Sequence, residues 1–208
     1  MFSSLNALAP DPILGLIALA NKDLNVNKID LGVGVYKNES GATPIMAAVK
    51  TAEQNCAEQE LTKAYIGPAG PAAFNSGIRD LIFGVQHPAL QADRVRTVLT
   101  PGGCGALRVG AEFLKRCSEN ATVWVSDPTW ANHLPLLSNA GLKLAEYPYY
   151  EAGSAGVKFD EMMSALANVG RGDIVLLHGC CHNPCGADLD EEQWRELTAL
   201  AAKNGFLP

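Results

Sequence analysis

The stretch "DIVLLHGCCHNPCG", residues 173–186, decides the fold class, because a short apolar run leads directly into a glycine-containing polar loop. Residues 174–177 have the uninterrupted hydrophobicity of a strand that is buried on both faces, as in a parallel sheet. Residues 190–205 follow with the pattern of a helix that has an acidic first turn and a glycine at its end. Strand, loop and helix in this order form one unit of an α/β fold.

The same unit occurs several times upstream. Further strands are predicted at residues 94–100, 121–128 and 143–150. Helices are predicted at residues 12–22, 46–59, 71–83, 106–117, 129–141 and 159–170, and residues 101–105 are predicted to be a glycine turn. The final "FLP", residues 206–208, has the pattern of another strand at its beginning. Strands that alternate with helices predict crossover units on a parallel sheet, so the predicted fold class is α/β.

Composition narrows the class of partner. The chain has 208 residues, 48% of them hydrophobic, with a net charge of −6 and a pI near 5.2. An acidic chain without clustered Lys and Arg is a poor match for nucleic acid or an anionic membrane, so we expect a small-molecule substrate. No signal peptide or membrane span is predicted, and six cysteines are too few for a disulfide scaffold. These features favour a reducing, cytoplasmic location.

Two loops that follow predicted strands are candidate ligand sites. "TPGGCGALR", residues 100–108, places glycines at the start of a helix, where free amides and the helix dipole favour a phosphate. A tight turn without a ligand explains this loop equally well. In "SDPTWANH", residues 126–133, Trp130 is suited to stack on a planar cofactor, although a core position for Trp130 and a surface position for His133 are the alternative.

A third loop, "HGCCHNPCG" at residues 178–186, combines three cysteines with two histidines. Structural zinc sites draw ligand pairs from two separate places, and the sequence has no second pair at a suitable spacing. The adjacent Cys180 and Cys181 suit neither tetrahedral ligation nor an easy disulfide. We therefore expect no metal and a packing role for the thiols, and we regard a metal or redox module as a weak hypothesis.

Six motifs together resemble the aspartate and aromatic amino-acid aminotransferases, which are pyridoxal-phosphate enzymes of fold type I. Besides the three loops above, they are "APDPILGL" (residues 9–16), "LGVGVYKNESGATP" (31–44) and "AYIGPAG" (64–70), in the family's order and spacing. The resemblance implies a three-layer α/β/α large domain, incomplete here, preceded by an N-terminal arm and part of the small domain. It places the arm and small-domain portion at residues 1–40 and the large domain at 41–208.

The resemblance also implies roles for individual residues in phosphate binding. Gly102, Gly103 and Cys104 form part of the phosphate cradle. Tyr65 reaches the phosphate of the neighbouring subunit, so the active site belongs to a homodimer. The family usually has Thr or Ser at Cys104, and a thiol is a weaker donor to phosphate than a hydroxyl. We therefore expect looser anchoring of the cofactor phosphate in this chain.

Further roles that the resemblance implies concern the cofactor ring and the substrate. Trp130 stacks on the pyridine ring and also contacts the substrate, and Asn183 hydrogen-bonds the phenolic oxygen and the substrate carboxylate. Gly34 lies against that carboxylate through its backbone. His133 and His178 support the group that holds the pyridine nitrogen. The family also implies cis peptide bonds before Pro128 and Pro184, and it usually has Thr where Cys185 stands, a change that we expect to be mostly steric.

The resemblance has a functional limit, because family members are about twice as long. Their Schiff-base lysine, the aspartate on the pyridine nitrogen and the arginines that bind substrate carboxylates correspond to positions beyond Pro208. We therefore expect amino-group transfer between an aspartate or aromatic amino acid and a 2-oxo acid in the full-length family, and an inactive, poorly stable chain in isolation. The alternative is a non-catalytic remnant that docks on an intact subunit.

Overall fold

The computed structural model describes residues 12–29, 32 and 34–208. The chain divides into two compact units, residues 1–64 and 65–208. Among the residues that the structure describes, the first unit contains two helices and the second contains all the strands. Residues 1–11, 30, 31 and 33 of the predicted arm and small-domain portion lie outside the described residues. The predicted boundary at residue 40 between the small-domain portion and the large domain stays a prediction.

The described elements follow the alternating order that the sequence predicts. The helices are α1 (Pro12–Lys22), α2 (Ala47–Gln59), α3 (Ala72–Phe83), α4 (Pro88–Gln91), α5 (Gly102–Cys117), α6 (His133–Ser138), α7 (Phe159–Leu166) and α8 (Glu191–Asn204). The strands are β1 (Thr122–Asp127), β2 (Lys143–Pro148), β3 (Tyr150–Glu151), β4 (Gly156–Val157) and β5 (Ile174–Val175). Strands β3 and β4 form a small antiparallel ribbon that precedes α7.

A parallel sheet with the order β2-β1-β5 forms the centre of the second unit. Strand β1 pairs with β2 along its whole length, from Thr122 opposite Lys143 to Asp127 opposite Pro148. On its other side β1 pairs with β5, and Leu207 forms a parallel bridge to Ile174 beyond it. The start of a further strand that "FLP" predicts is therefore present as this single bridge.

Helices cover both faces of this sheet, because successive side chains of β1 point in opposite directions. Val123 and Val125 pack with Ala111 of α5 and Leu137 of α6 on one face. Trp124 packs on the other face, against a cluster formed mainly by strand β2 and helices α7 and α8. The buried members of that cluster are Tyr147, Tyr149, Met162, Leu166, Val169, Val175, Leu197, Ala201 and Phe206. Two helical layers around a parallel sheet confirm the predicted α/β class.

Helices with strong local signals begin and end close to the predicted positions. Helices α2 and α3 each begin one residue after the predicted start and end at the predicted residue. Helix α8 begins with a capping box, in which the Asp190 carboxylate accepts from the Gln193 N–H at 2.9 Å and the Gln193 side chain accepts from the Asp190 N–H at 3.0 Å. Gly205 ends α8 in the left-handed conformation, with φ +78°.

The strand predicted at residues 94–100 is wrong, because this segment forms no strand. Its Val98 and Leu99 are exposed, and Leu99 N–H donates to the Ala69 carbonyl in a loop at 2.9 Å. A strand needs a partner strand for its backbone groups, and the described part of the chain provides none beside this segment.

Other predicted boundaries also differ from the structure, and α7, which was predicted to extend to residue 170, ends at Leu166. Helix α5 begins at Gly102 rather than after a glycine turn, so the glycines form its first turn. Gly105 fits there because a Cβ would lie 2.8 Å from Cδ of Pro101. Helix α6 is limited to six residues and β5 to two. None of the helices in the described residues is long and apolar enough to span a bilayer.

Candidate functional site

Four residues singled out from the sequence lie around one open pocket of about 260 Å³. They are Trp130, His133, His178 and Asn183, joined by Cys180 and by Leu107, Leu176 and Leu177. Trp130 and His133 follow β1, and the other two follow β5, so loops after neighbouring parallel strands meet here. The peptide bonds Asp127–Pro128 and Asn183–Pro184 in these loops are cis, as the resemblance implies.

The first turn of α5 is an open helix N-terminus. Its N-cap, Pro101, has no side-chain capping hydrogen bond, and Gly102 has φ +68°. A Cβ added to Gly102 or Gly103 would meet nothing within 4 Å, so there is space beside both backbones, and the Gly102 N–H itself donates to the Thr100 carbonyl at 2.8 Å. Leu107 of the pocket follows Gly103 by four residues and therefore lies on the same side of α5. A first turn without capping, with the positive end of the helix dipole, favours an anion.

Cys104 lies on another side of α5. It lines a second pocket of about 220 Å³ with Arg108, also from α5, and with Asn132, Pro135, Leu136 and Asn139 from the α6 region. The Arg108 guanidinium is paired with the Glu112 carboxylate at 2.6 Å. The three residues of the predicted phosphate cradle are thus consecutive in α5, but none of them lines the pocket of Trp130, to which α5 contributes Leu107.

Three residues that line the first pocket, Trp130, His133 and His178, belong to a column of aromatic rings that also includes His182 and Tyr149. Tyr149 stacks on His182 at 4.1 Å between ring centroids, and His182 stacks on His178 at 4.0 Å. His178 meets the edge of His133 at 5.2 Å, and His133 meets the edge of Trp130 at 5.3 Å. These five rings therefore form a continuous column from Tyr149, which follows β2, to Trp130 in the pocket.

Hydrogen bonds fix the orientation of these rings. The Asn183 N–H donates to His178 Nδ1 at 3.1 Å, so a neutral His178 carries its proton on Nε2. The Thr129 hydroxyl lies 2.8 Å from His133 Nδ1 and 3.5 Å from His178 Nε2. His182 is held from both sides, by Ser126 Oγ at 2.9 Å from Nε2 and by Cys185 Sγ at 3.0 Å from Nδ1. The backbone of Asn183 is thereby tied to the ring column.

Burial keeps the histidines of this column neutral. His133 is 8% exposed and His182 is 3% exposed. Desolvation disfavours the charged imidazolium and lowers the pKa of both rings to about 4, with a smaller contribution from the neighbouring His178. Burial lowers the pKa of His178 as well. Burial raises the pKa of the Tyr149 phenol to about 12. The rings that support the pocket carry no charge at neutral pH.

The loop at residues 178–186 is closed by Asp188. Its carboxylate accepts from the backbone N–H of Cys181 at 2.7 Å and of His182 at 2.8 Å, and these bonds lower the pKa of Asp188. The expected packing role is wrong for Cys180 and Cys181, because both are exposed. The closure forces Cys181 to φ +52° and turns this part of the loop towards solvent. Of the three thiols only Cys185 is half-buried, against His182.

Two predicted site residues, Tyr65 and Gly34, make none of the contacts described above. The Tyr65 side chain is fully exposed at the start of the second unit. Gly34 belongs to the first unit, and a Cβ added there would meet nothing within 4 Å. Within the residues that the structure describes, no group of three or more His, Cys, Asp or Glu side chains is arranged to hold a metal ion.

Three side chains of this site, Thr129, His182 and Asp188, were not predicted from the sequence. Thr129 and His182 occur inside quoted motifs, but nothing in the sequence indicated that they bridge the other residues. A signal for His182 was its position four residues after His178, and Asp188 could have been found as the first acidic residue after the loop.

A family model matches the part of the sequence that contains Trp130, Asn183 and the glycine-rich start of α5. The model for aminotransferase class I and II covers residues 26–208. The chain belongs to this aminotransferase family. The resemblance seen in the six motifs is thereby confirmed.

Curated relatives match over the whole chain. The aspartate aminotransferase of Haemophilus influenzae is 46% identical over 208 residues, which are 100% of this chain and 52% of that protein. The aromatic-amino-acid aminotransferase of Pseudomonas aeruginosa is 42% identical over 207 residues, again 100% of this chain and 52% of the relative. The chain spans about half the length of the curated relatives it matches.

Solved structures of the family share the fold. An aromatic amino acid aminotransferase from Burkholderia cenocepacia gives a TM-score of 0.96 at 42% identity and covers 100% of this chain and 52% of its own. The enzyme from Burkholderia pseudomallei, which is covalently bound to pyridoxal phosphate, gives 0.94 at 41% identity and covers 99% and 52%. The chain therefore has a partial α/β fold type I domain, as predicted.

Proposed function

We propose that this chain provides the cofactor-binding face of an aminotransferase that uses pyridoxal 5'-phosphate. The observation that carries the proposal is the pocket lined by Trp130, by Asn183 and by Leu107 of α5, a helix whose first turn has no side-chain cap. A planar ring and an anionic phosphate are the two parts of the cofactor, and this arrangement offers one surface for each. Membership of the aminotransferase family supports the same cofactor.

The phosphate would lie at the first turn of α5. There is space beside the backbones of Gly102 and Gly103, and the helix dipole stabilises negative charge. Cys104 would contribute its backbone N–H and a weakly donating thiol. We propose that Tyr65, which is fully exposed, reaches the phosphate bound by a second copy of the chain in a homodimer.

The ring would lie against Trp130. An indole stacked on an aromatic ring contributes beyond its buried area, and the edge of His133 supports the indole from behind. No side-chain hydrogen bond holds the Asn183 amide within the described chain, so it is free to donate to the phenolic oxygen and to a substrate carboxylate. His178 orients it through the Asn183 backbone. Gly34 would meet the same carboxylate through its backbone.

The chemistry divides between cofactor and protein. When bound, the cofactor supplies an electron sink for negative charge that develops at the substrate Cα. The residues described here bind and orient, and the imidazoles, with pKa values lowered by burial, are poor proton acceptors near neutral pH. We therefore propose that a lysine outside this sequence acts as covalent anchor and base, and that the 208-residue chain alone is inactive.

The proposed substrates of the complete enzyme are an aspartate or aromatic amino acid and a 2-oxo acid. Relatives of both kinds match the chain to a similar degree, at 46% and 42% identity. The proposed location stays cytoplasmic, as the composition favours. The alternative function, a non-catalytic chain that docks on an intact subunit, shares the fold and differs in requiring no cofactor.

A binding titration of the purified chain tests the proposal. We expect pyridoxal phosphate to bind without covalent attachment and Trp130→Ala to raise the dissociation constant about three- to ten-fold, the loss of one stacking contact. Trp194→Phe on α8, outside the pocket, is the matched control and should leave binding unchanged.

Three outcomes would contradict the proposal. If the chain does not bind the cofactor, or if Trp130→Ala binds it as tightly as the wild type, the pocket is not the cofactor site and the docking alternative is favoured. Transfer of an amino group from an aspartate or aromatic amino acid to a 2-oxo acid by the 208-residue chain would refute its proposed inactivity.

A further inference from the structure

A single carbonyl joins two segments that are far apart in sequence. The Ala69 carbonyl accepts from the Leu99 N–H at 2.9 Å and from Asn75 Nδ2 at 2.8 Å. Ala69 belongs to the loop of residues 65–70, and Leu99 to the segment that leads into α5. Asn75 lies in the first turn of α3 and reaches back six residues to make its bond.

The two segments also approach closely at Gly70. This glycine has φ +85°, and its N–H donates to the Gly67 carbonyl at 2.9 Å, which closes a tight turn. A Cβ at Gly70 would overlap the Cβ of Leu99. The turn is therefore packed directly on the segment of residues 94–100, and only glycine fits there.

Asn75 is half-buried beside this contact, and its bond to the Ala69 carbonyl is exposed. Its Oδ1 is buried and has no hydrogen-bond partner among the described residues. A buried amide oxygen without a partner costs free energy. The donor end of the same amide makes the bond to Ala69, so this position uses an amide for its donor and not for its acceptor.

We infer that Asn75 is a positioning residue that holds the Tyr65 loop against the segment carrying the phosphate cradle. Tyr65 precedes Ala69 by four residues, and Gly102 follows Leu99 by three. The inference rests on the proposed function, in which Gly102 and Gly103 bind the phosphate of their own subunit and Tyr65 that of the neighbour. We call the contact in which Asn75 and Leu99 share the Ala69 carbonyl the clamp. The clamp would then set the positions of Tyr65 and of the phosphate cradle, which serve two different active sites.

Amide hydrogen exchange in the 208-residue chain tests the clamp. With Asn75→Ala, we expect the Leu99 amide to exchange about five-fold faster, the opening that corresponds to one net hydrogen bond. Asn75→Asp, which replaces only the donor by an acceptor, should do the same. The Leu176 amide, which donates to Trp124 at 2.9 Å in the sheet, is the internal reference and should not change.

The chain offers a closely matched control variant. Gln91 Nε2 donates to the Val85 carbonyl at 3.1 Å, also a side-chain amide that reaches back six residues, but outside the clamp. Gln91→Ala should leave Leu99 exchange unchanged. Equal Leu99 exchange in the wild type, Asn75→Ala and Asn75→Asp would overturn the inference.

Ligand binding separates a positioning role from a general loss of structure. We expect Asn75→Ala to weaken pyridoxal phosphate at least three-fold while the affinity for pyridoxal, which lacks the phosphate, stays the same. An equal loss for both ligands would mean a merely structural role and overturn the positioning. If the wild type binds neither ligand, the proposed function fails, and the exchange measurement still decides whether Asn75 clamps the two segments.

Discussion

Acidification should destabilise the fold through the buried histidines of the ring column. In the unfolded chain a histidine binds a proton near its ordinary pKa of 6.5, whereas His133 and His182 in the folded chain do so only at about 4. Between these values the unfolded state binds more protons, so a falling pH favours unfolding. The stabilisation is complete above pH 6.5 and is lost as the pH approaches 4.

The size of the effect follows from the two pKa values. At about 1.36 kcal/mol per pKa unit, a shift from 6.5 to about 4 corresponds to roughly 3 kcal/mol per ring at its limit. At about pH 5 the unfolding free energy should already be lower by roughly 2 kcal/mol per ring than at about pH 8. Because both rings contact His178, the total should stay below roughly 4 kcal/mol, still a large part of the stability of a domain.

Urea unfolding between pH 8 and 5, followed by circular dichroism, measures this dependence. His182→Phe keeps a ring between Tyr149 and His178 but cannot titrate, so the difference between the two pH values should shrink by up to roughly 2 kcal/mol. His87→Asn is the control, because His87 is exposed and the asparagine keeps the acceptor for the Ala89 N–H. A free energy that is constant across this range, or equal slopes for wild type and His182→Phe, would refute the reasoning.

Two further predictions concern the ends of helices. Asp190→Ala removes the capping box of α8 and should lower the unfolding free energy by about 1 kcal/mol in the same urea assay, whereas Glu192→Ala, which leaves the box intact, should lower it less; equal losses would contradict the capping role. Cys104→Thr restores a hydroxyl at the start of α5 and should tighten pyridoxal phosphate several-fold without affecting pyridoxal, measured by titration, and unchanged affinity would show that this side chain does not meet the phosphate.

Local signals account for the parts of the fold that were predicted well. Helix α8 begins with a capping box and ends in a left-handed glycine, and both features depend on residues that are close together in the sequence. Strands depend on partners that sequence periodicity does not identify. Residues 94–100 are rich in the Val and Thr that favour strands, yet their backbone contact in the structure is with a loop at Ala69. The apolar run at residues 174–177 likewise forms only a two-residue strand.

The site, like the fold, was predicted only in part. The alternation of strands and loops brought Trp130 and Asn183 to one edge, and the structure places them in one pocket. The interactions that orient them were not predictable, because His182 and Ser126 are 56 residues apart in sequence and meet only through the sheet. The face of a helix matters as well as sequence position, since Leu107 lines the pocket of Trp130 whereas the next residue, Arg108, lines the pocket of Cys104.

The electrostatics of the pocket indicate what these residues can contribute to a reaction. A general base works best when its pKa is near the working pH, and burial has moved the pKa of His133 and His182 to about 4. The neutral column instead keeps a fixed tautomer at His178, and His178 in turn holds the backbone of Asn183. The N-terminus of α5 provides a field that favours an anion. We therefore expect variants of these histidines to alter cofactor affinity and pH-dependent stability, and we expect proton transfer to depend on a group that they do not supply.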